Sequence, residues 1–91
     1  MAKTDMSSYP KLSASERNLL VRRAVNRASP VDKDLVVDKL KTTMPATEVK
    51  RLIRLNEKRG NLEITDGKLK SKERFQPYIP RIDDILTACG F

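Results

Sequence analysis

The stretch NLEITDGKLKSK, residues 61–72, decides the fold of the C-terminal half of this chain. Apolar and polar residues alternate on both sides of Asp66-Gly67, the dipeptide most typical of a two-residue type I′ hairpin turn. Strand pairing across this turn is predicted to match Thr65 with Lys68, Ile64 with Leu69, Glu63 with Lys70 and Leu62 with Ser71. The apolar side chains then share one face. Because a lone hairpin is marginally stable in water, that face must pack on helices.

A third helix is predicted just before the hairpin, over residues 45–59, because Pro45 suits a first helical position and Gly60 a helix end. At about 100° per residue, one arc of this helix is apolar except for an asparagine. The arc comprises Ala46, Val49, Leu52, Ile53 and Asn56. The opposite arc is basic and comprises Lys50, Arg51, Arg54 and Lys58.

The second helix is predicted to begin at Ser29-Pro30, an N-cap followed by proline at the first helical position. Asp32 and Asp34 then lie where the helix dipole favours negative charge. The predicted buried face of this helix is Val31, Leu35, Val36 and Leu40. No strand is expected between the first two helices.

The first helix begins with a capping box, because Ser13 is followed three residues later by Glu16. An apolar stripe then predicts a helix of about 13 to 15 residues. The stripe comprises Leu20, Val21, Ala24, Val25 and Ala28. Four arginines lie off the stripe, at positions 17, 22, 23 and 27. We expect them to form ion pairs with the acids of the second helix, Asp32, Asp34 and Asp38.

The two ends of the chain are predicted to differ from this centre. Residues 1–12 show no hydrophobic period and are expected to form a flexible N-terminal arm that Tyr9 and Leu12 attach to the fold. Residues 13–75 form the central domain, and residues 76–91 form a C-terminal extension. Pro77 and Pro80 precede a short helix over residues 81–88, with Ile82, Ile85 and Leu86 pointing inward.

The sequence also supports predictions for individual residues near the C-terminal end. Phe75 and Tyr78 are expected to fill the core beneath the hairpin, and Cys89 to be a small buried hydrophobe. Asp83 and Asp84 point about 100° apart on a helix, and no group is expected to converge on them for acid chemistry.

Composition narrows the class of protein. The chain has 91 residues, which is enough for one domain, and it contains no histidine, one cysteine and no tryptophan. A disulfide framework, a Cys/His zinc site and a histidine-dependent catalytic triad cannot be built within one such chain. We therefore expect no enzyme activity, no cofactor and no metal.

Hydropathy and charge suggest where the protein acts. The longest apolar runs have three residues, at positions 19–21 and 35–37, so no membrane role is expected and the protein is predicted to be soluble and intracellular, cytoplasmic or nucleoid-associated. Lysine and arginine number 19 against 12 acidic residues, a net charge of +7 with a pI near 9.9. A polyanion is the favoured partner.

The positive charge is concentrated in residues 49–74, which hold nine basic and four acidic residues. The candidate nucleic-acid-binding residues are Lys50, Arg51, Arg54, Lys58, Arg59, Lys68, Lys70 and Lys72. Such a surface indicates phosphate binding, whereas reading of bases would need Arg51, Arg54 or the half-buried Asn56 to reach base edges. With few aromatic residues for stacking, duplex DNA is preferred over single strands.

The order of helix, helix, helix and hairpin, with a basic third helix and a lysine-bearing hairpin, resembles a winged helix-turn-helix domain. The resemblance covers roughly residues 13–75. It implies a mainly α fold with a C-terminal β-hairpin, a winged-helix-like three-helix domain followed by a short C-terminal helix. It also implies that the third helix enters the major groove while the hairpin, or wing, contacts the adjacent backbone or minor groove.

The function predicted on this basis is a small basic DNA-binding protein, a transcription or replication regulator or accessory factor. The alternative is a protein interaction module with no nucleic-acid role, an adaptor or inhibitor of a larger machine. Its apolar flank would comprise Leu55, Ile79, Ile82 and Phe91. A homodimer or protein partner would use Ile79, Ile82, Ile85 and Leu86.

Overall fold

The computed structural model describes residue 9, residues 11–73 and residues 78–91. The helices are α1 (Ala14–Ala28), α2 (Lys33–Leu40), α3 (Ala46–Lys58) and α4 (Pro80–Ala88). The strands are β1 (Val31–Asp32), β2 (Leu62–Thr65) and β3 (Lys68–Ser71). They form an antiparallel sheet in the order β1-β3-β2. The described residues thus make a mostly helical α/β domain of four helices and one small sheet.

The hairpin confirms the predicted register at all four residue pairs. Asp66 and Gly67 both have positive φ, 53° and 76°, as a type I′ turn requires. Leu62 and Leu69 are buried and Ile64 is partly buried, so the apolar face of the hairpin packs against the helices. The turn and the alternation of apolar residues therefore specify the pairing from the local sequence.

The prediction for the start of the second helix was wrong. Val31 and Asp32 form β1, whose Val31 pairs with Leu69, and α2 starts only at Lys33. Asp32 occupies the N-cap position without capping, because its carboxylate accepts a hydrogen bond from Lys68 Nζ at 3.0 Å. The Lys33 N–H donates to Gly67 O at 3.0 Å, which joins the hairpin turn to the start of α2. A strand therefore does lie between the first two helices.

The buried face of α2 also differs from the prediction at one residue. Val36 and Leu40 are fully buried and Val37 is 9% exposed, whereas Leu35 is 43% exposed. With Val36 at zero, Leu40 lies at about 40° and Leu35 at about 260° around the helix. Leu35 therefore points away from the arc that α2 presents to the core.

The core is centred on α1, which contacts α2, α3, α4 and β3. The predicted capping box is present, with Ser13 Oγ accepting from the Glu16 N–H and Glu16 accepting from the Ser13 N–H. The apolar stripe of α1 is buried along most of its length, at Leu20, Val21, Ala24 and Val25. The link between α2 and α3 adds the fully buried Met44 to this core.

The C-terminal segment confirms the last helix and corrects one core residue. Ile82 and Leu86 are buried in the core and Ile85 is partly buried, as predicted. Tyr78, expected in the core, is 67% exposed, because it precedes α4 and lies outside its inward face. Cys89 packs partly buried against the core. Phe75 lies outside the described residues, as does most of the predicted N-terminal arm.

Candidate nucleic-acid interface

The outer arc of α3 is positioned by burial of the opposite arc. Val49, Leu52, Ile53 and Asn56 are buried, so the helix can present only its other side to solvent. That side carries the exposed residues Thr47, Lys50, Arg51, Arg54 and Lys58, which we call the α3 face. Thr47, Lys50, Arg51 and Arg54 line a shallow depression on it.

The cations of the α3 face differ in whether a carboxylate is paired with them. Within the described residues, no carboxylate forms an ion pair with Lys50, Arg54 or Lys58. Arg51, in contrast, donates two hydrogen bonds of 2.9 Å to Glu48 on the same helix. These bonds raise the pKa of Arg51 and lower that of Glu48. Three cations on the α3 face thus remain available to an outside anion.

Glu48 also connects the α3 face to α1, because Arg17 Nε lies 3.4 Å from its second carboxylate oxygen. Arg17, Glu48 and Arg51 therefore form a chain of two positive charges and one negative charge. The chain keeps a net positive charge and holds the Arg51 guanidinium in place against the helix.

The two ends of the hairpin differ in charge. Its base, the end next to α3, carries lysines that are unpaired within the described residues, whereas at its tip, the turn, the lysine is paired with an acid. At the tip, Lys68 is paired with Asp32, and Asp34 lies on the adjoining first turn of α2, beside Gly67. The turn residue Asp66 adds another exposed carboxylate. Lys68 therefore contributes no free positive charge, which the charge count alone did not reveal.

The base of the hairpin is linked to the C-terminal end of α3. The Asn61 N–H donates to Asn56 O at 2.9 Å, and the Lys72 N–H donates to Asn61 O at 3.0 Å. This brings Lys72 close in space to Arg59, two residues before Asn61 in the chain. Arg59, Lys70 and Lys72 are exposed and form no ion pair with the part of the chain that is described. The two basic segments therefore meet at this end.

The arginines of α1 have partners other than those predicted. Arg17 pairs with Glu48, Arg22 with Glu73, and both Arg23 and Arg27 with Asp83. The prediction of Asp32, Asp34 and Asp38 was wrong because α1 packs its polar flanks against α3, the end of β3 and α4. The carboxylate of Asp38 pairs with Lys41 instead.

Donors from Arg23 and Ile79 converge on the Asp83 carboxylate, where no converging group was expected. Arg23 donates to its Oδ1 through Nε at 3.1 Å and through NH2 at 2.7 Å, and the Ile79 N–H donates to its Oδ2 at 2.8 Å. Burial opposes ionisation of this carboxyl, but the Ile79 and Arg23 hydrogen bonds outweigh it, so the pKa of Asp83 lies below its ordinary value. This is a buried ion pair that fixes α4 to α1.

Asn56 is fully buried, not half-buried, which removes it from base reading. Its Nδ2 donates to Leu52 O at 2.8 Å and to Asn18 Oδ1 at 2.7 Å. Base reading by this surface would therefore fall to Arg51 and Arg54. Asn18 was not singled out from the sequence, since a lone asparagine on a helix carries no pattern.

The predicted partner surface on α4 is also reduced. Ile82 and Leu86 are buried inside this chain, so they are not available to a partner, whereas Ile79 and Ile85 are partly exposed. Leu55 and Phe91 are partly exposed as well. Exposure of large apolar side chains is instead greatest at Tyr78 and Leu35.

None of the described helices is long and apolar enough to cross a membrane. Nor does the described part of the chain gather three or more histidine, cysteine or acidic side chains into a group that could hold a metal ion. Comparison with protein-family models, with curated proteins and with solved structures gave no match.

Proposed function

We propose that the protein binds duplex DNA through the α3 face and the base of the hairpin, in the manner of a winged helix-turn-helix domain. The observation that carries this proposal is the set of exposed, unpaired cations on α3, in a chain whose α1 arginines are all paired with carboxylates. The element order and the β1-β3-β2 sheet support the choice of that geometry.

In this arrangement α3 lies in the major groove and the hairpin lies along the backbone. Lys50 and Lys58 contact phosphates as flexible point charges, and Lys70 and Lys72 extend the contact along the strand. Arg54 has the planar donor fork that fits guanine in the major groove. Neutralising phosphates releases counterions, so each contact adds about 0.9 to the slope of log affinity against log salt.

Duplex rather than single-stranded DNA fits this surface, because neither α3 nor the hairpin contains an aromatic residue. Sequence-tolerant binding of single strands depends on stacking of bases on aromatic rings. The surface has cations for a backbone but no platform for an unstacked base. The role that follows is that of a regulator or accessory factor acting on duplex DNA.

The proposal is tested by titrating the protein against a labelled duplex of arbitrary sequence at several salt concentrations. We expect Lys50→Glu/Arg54→Glu to lose most binding and to reduce the salt slope by about 2. The control is Lys11→Glu/Lys33→Glu, which makes the same charge change at two lysines that lie outside α3 and the hairpin and have no ion pair among the described residues. Equal loss in both variants would mean that only net charge matters and that the α3 face is not the site.

A protein-binding role is the second candidate, favoured by one observation. Tyr78, two residues before α4, exposes 67% of its surface, and tyrosine is a residue type enriched at protein interfaces. If the parent protein fails to bind duplex at low salt, this adaptor or inhibitor role replaces the DNA-binding proposal. Tyr78→Ser would then be the variant expected to lose the partner.

A further inference from the structure

We infer that the groove between the N-terminal half of α1 and the flank of α3 is a binding site for one phosphate group, supplied as a backbone phosphodiester of the duplex. The groove adjoins the α3 face through Arg51, so its assignment to DNA rests on the proposed function. Its lining residues are Ala14, Ser15, Asn18, Arg51, Leu52, Leu55 and Arg59.

The hydrogen bonds around Asn18 fix the orientation of its side-chain amide. Asn56 Nδ2 donates to the backbone oxygen of Leu52 at 2.8 Å, which identifies that atom of Asn56 as nitrogen. The same nitrogen faces Asn18 at 2.7 Å, so the Asn18 atom there must be the acceptor Oδ1. Asn61 Nδ2 completes the chain by donating to Asn56 Oδ1 at 2.8 Å. The Asn18 Nδ2 group is left over as a donor.

This leftover donor is unsatisfied within the described residues and is accessible. The structure gives Asn18 Nδ2 no hydrogen-bond acceptor there, and it is not among the buried polar atoms without a partner. Because Asn56 is fully buried, its amide cannot reverse: reversal would place Oδ1 against the Leu52 carbonyl oxygen, and two acceptors would then face each other. The fold thus holds a fixed N–H donor at the groove.

The charged residues that line the groove around this donor are positive. Two guanidinium groups line the groove, Arg51 from the middle of α3 and Arg59 from its C-terminal end, and no carboxylate lines it. Glu48 holds Arg51 with two hydrogen bonds, while Arg59 forms no ion pair with the described residues. Ser15 also lines the groove. A groove lined by residues that carry hydrogen-bond donors and by no carboxylate has the chemistry of an oxyanion site.

The floor of the groove strengthens these contacts. Leu52 is buried and Leu55 is partly buried, so one wall of the site is apolar. Because an apolar wall binds water weakly, water competes little with an anion resting there. The hydrogen bonds between the anion and the guanidinium groups are then made in a lower local dielectric. A tetrahedral phosphate offers enough oxygens for Asn18, Arg51 and Arg59 together, in bidentate or single contacts.

The test follows the ¹⁵N signals of the Asn18 side-chain amide and of the Arg59 Nε–H group, because the Arg51 Nε–H already donates to Glu48. Inorganic phosphate is titrated into the labelled full chain, with sodium chloride of equal ionic strength as the reference. We expect the two signals to move along one saturating curve with phosphate but not with chloride. Duplex binding is measured in parallel.

Two variants isolate the groove. Asn18→Asp keeps the oxygen that accepts from Asn56 but replaces the free donor with a carboxylate oxygen, and Arg59→Gln removes one exposed cation. Both should abolish the phosphate response and weaken duplex binding by about tenfold. Lys33→Gln, which makes the same charge change on a lysine that has no ion pair among the described residues and does not line the groove, should keep the phosphate response.

The outcomes separate this site from the proposed function. A phosphate response that survives in Arg59→Gln, or is lost equally in Lys33→Gln, overturns the groove as a site even if the parent binds duplex. A response confined to the groove, with no duplex binding by the parent, supports an oxyanion site and overturns its DNA source. Loss of response and of duplex affinity together in both groove variants supports the inference as stated.

Discussion

Helices α1 and α3 carry the same number of cations away from their apolar arcs, yet the fold uses them in opposite ways. The arginines of α1 all lie against carboxylates from other elements, at Glu48, Glu73 and Asp83. Of the four cations on the outer arc of α3, only Arg51 is paired with a described residue, and its partner belongs to the same helix. The difference teaches that a basic helix keeps unpaired positive charge where its neighbours supply no acid.

The largest expected contrast is in stability. Arg23→Ala should lower the free energy of unfolding by about 3 kcal/mol, because it removes both hydrogen bonds that Arg23 donates to Oδ1 of the buried Asp83 carboxylate. Arg54→Ala, the same substitution on the exposed arc, should change it by less than about 0.5 kcal/mol. Urea denaturation followed by circular dichroism measures both. Similar losses in the two variants would break the distinction between the helices.

The next contrast is in salt dependence of duplex binding. Lys50→Gln/Arg54→Gln/Lys58→Gln should reduce the slope of log affinity against log salt by about 2 to 3, since three unpaired cations are removed. Arg22→Gln should leave the slope unchanged, because that guanidinium is already neutralised by Glu73 through bonds of 2.6 and 3.2 Å. A fall in slope for Arg22→Gln would show that the ion pair opens on binding.

The pH dependence of stability should reveal the buried pair. The pKa of Asp83 in the folded protein lies below its ordinary 3.8, so its contribution is fully present above pH 3.8 and is lost as the pH falls through the folded value. Asp83→Asn should therefore show a smaller loss of urea midpoint between pH 5 and pH 2 than the parent. Asp84→Asn, its exposed neighbour, should follow the parent. Parallel profiles for all three would contradict the assignment.

The smallest expected effect concerns the one paired cation of the α3 face. Glu48→Gln releases Arg51 and Arg17 from their shared carboxylate and should tighten duplex binding by about two- to fivefold at low salt. Glu57→Gln makes the same charge change at an exposed position on α3 with no ion pair among the described residues. Equal tightening in both variants would assign the gain to net charge rather than to release of Arg51.

Local signals in the sequence predicted the hairpin and α1 well. Asp66-Gly67 specifies a turn with two positive φ angles, and the turn alone sets the register. Ser13 and Glu16 satisfy each other's backbone groups, so the start of α1 is encoded within one turn. The inner arc of α3 followed from helical periodicity.

Features that depend on distant neighbours were not predictable in this way. Two residues, Val31 and Asp32, make a strand only because β3 offers them an edge, and that edge lies 36 residues downstream at Lys68. The ion pair between Arg23 and Asp83 joins residues 60 apart in the chain. No periodic pattern within either helix identifies such a partner.

Some features of the candidate site likewise follow from the local sequence, and others follow only from the tertiary structure. Which side chains of α3 face outward was decided by its own sequence, since burying one apolar arc exposes the other. Which of those cations remain unpaired was decided only by the tertiary structure, as was the ion pair between Lys68 and Asp32. The reason is physical: helix and turn formation depend on contacts within a few residues, whereas the charge of a surface depends on every element that folds against it.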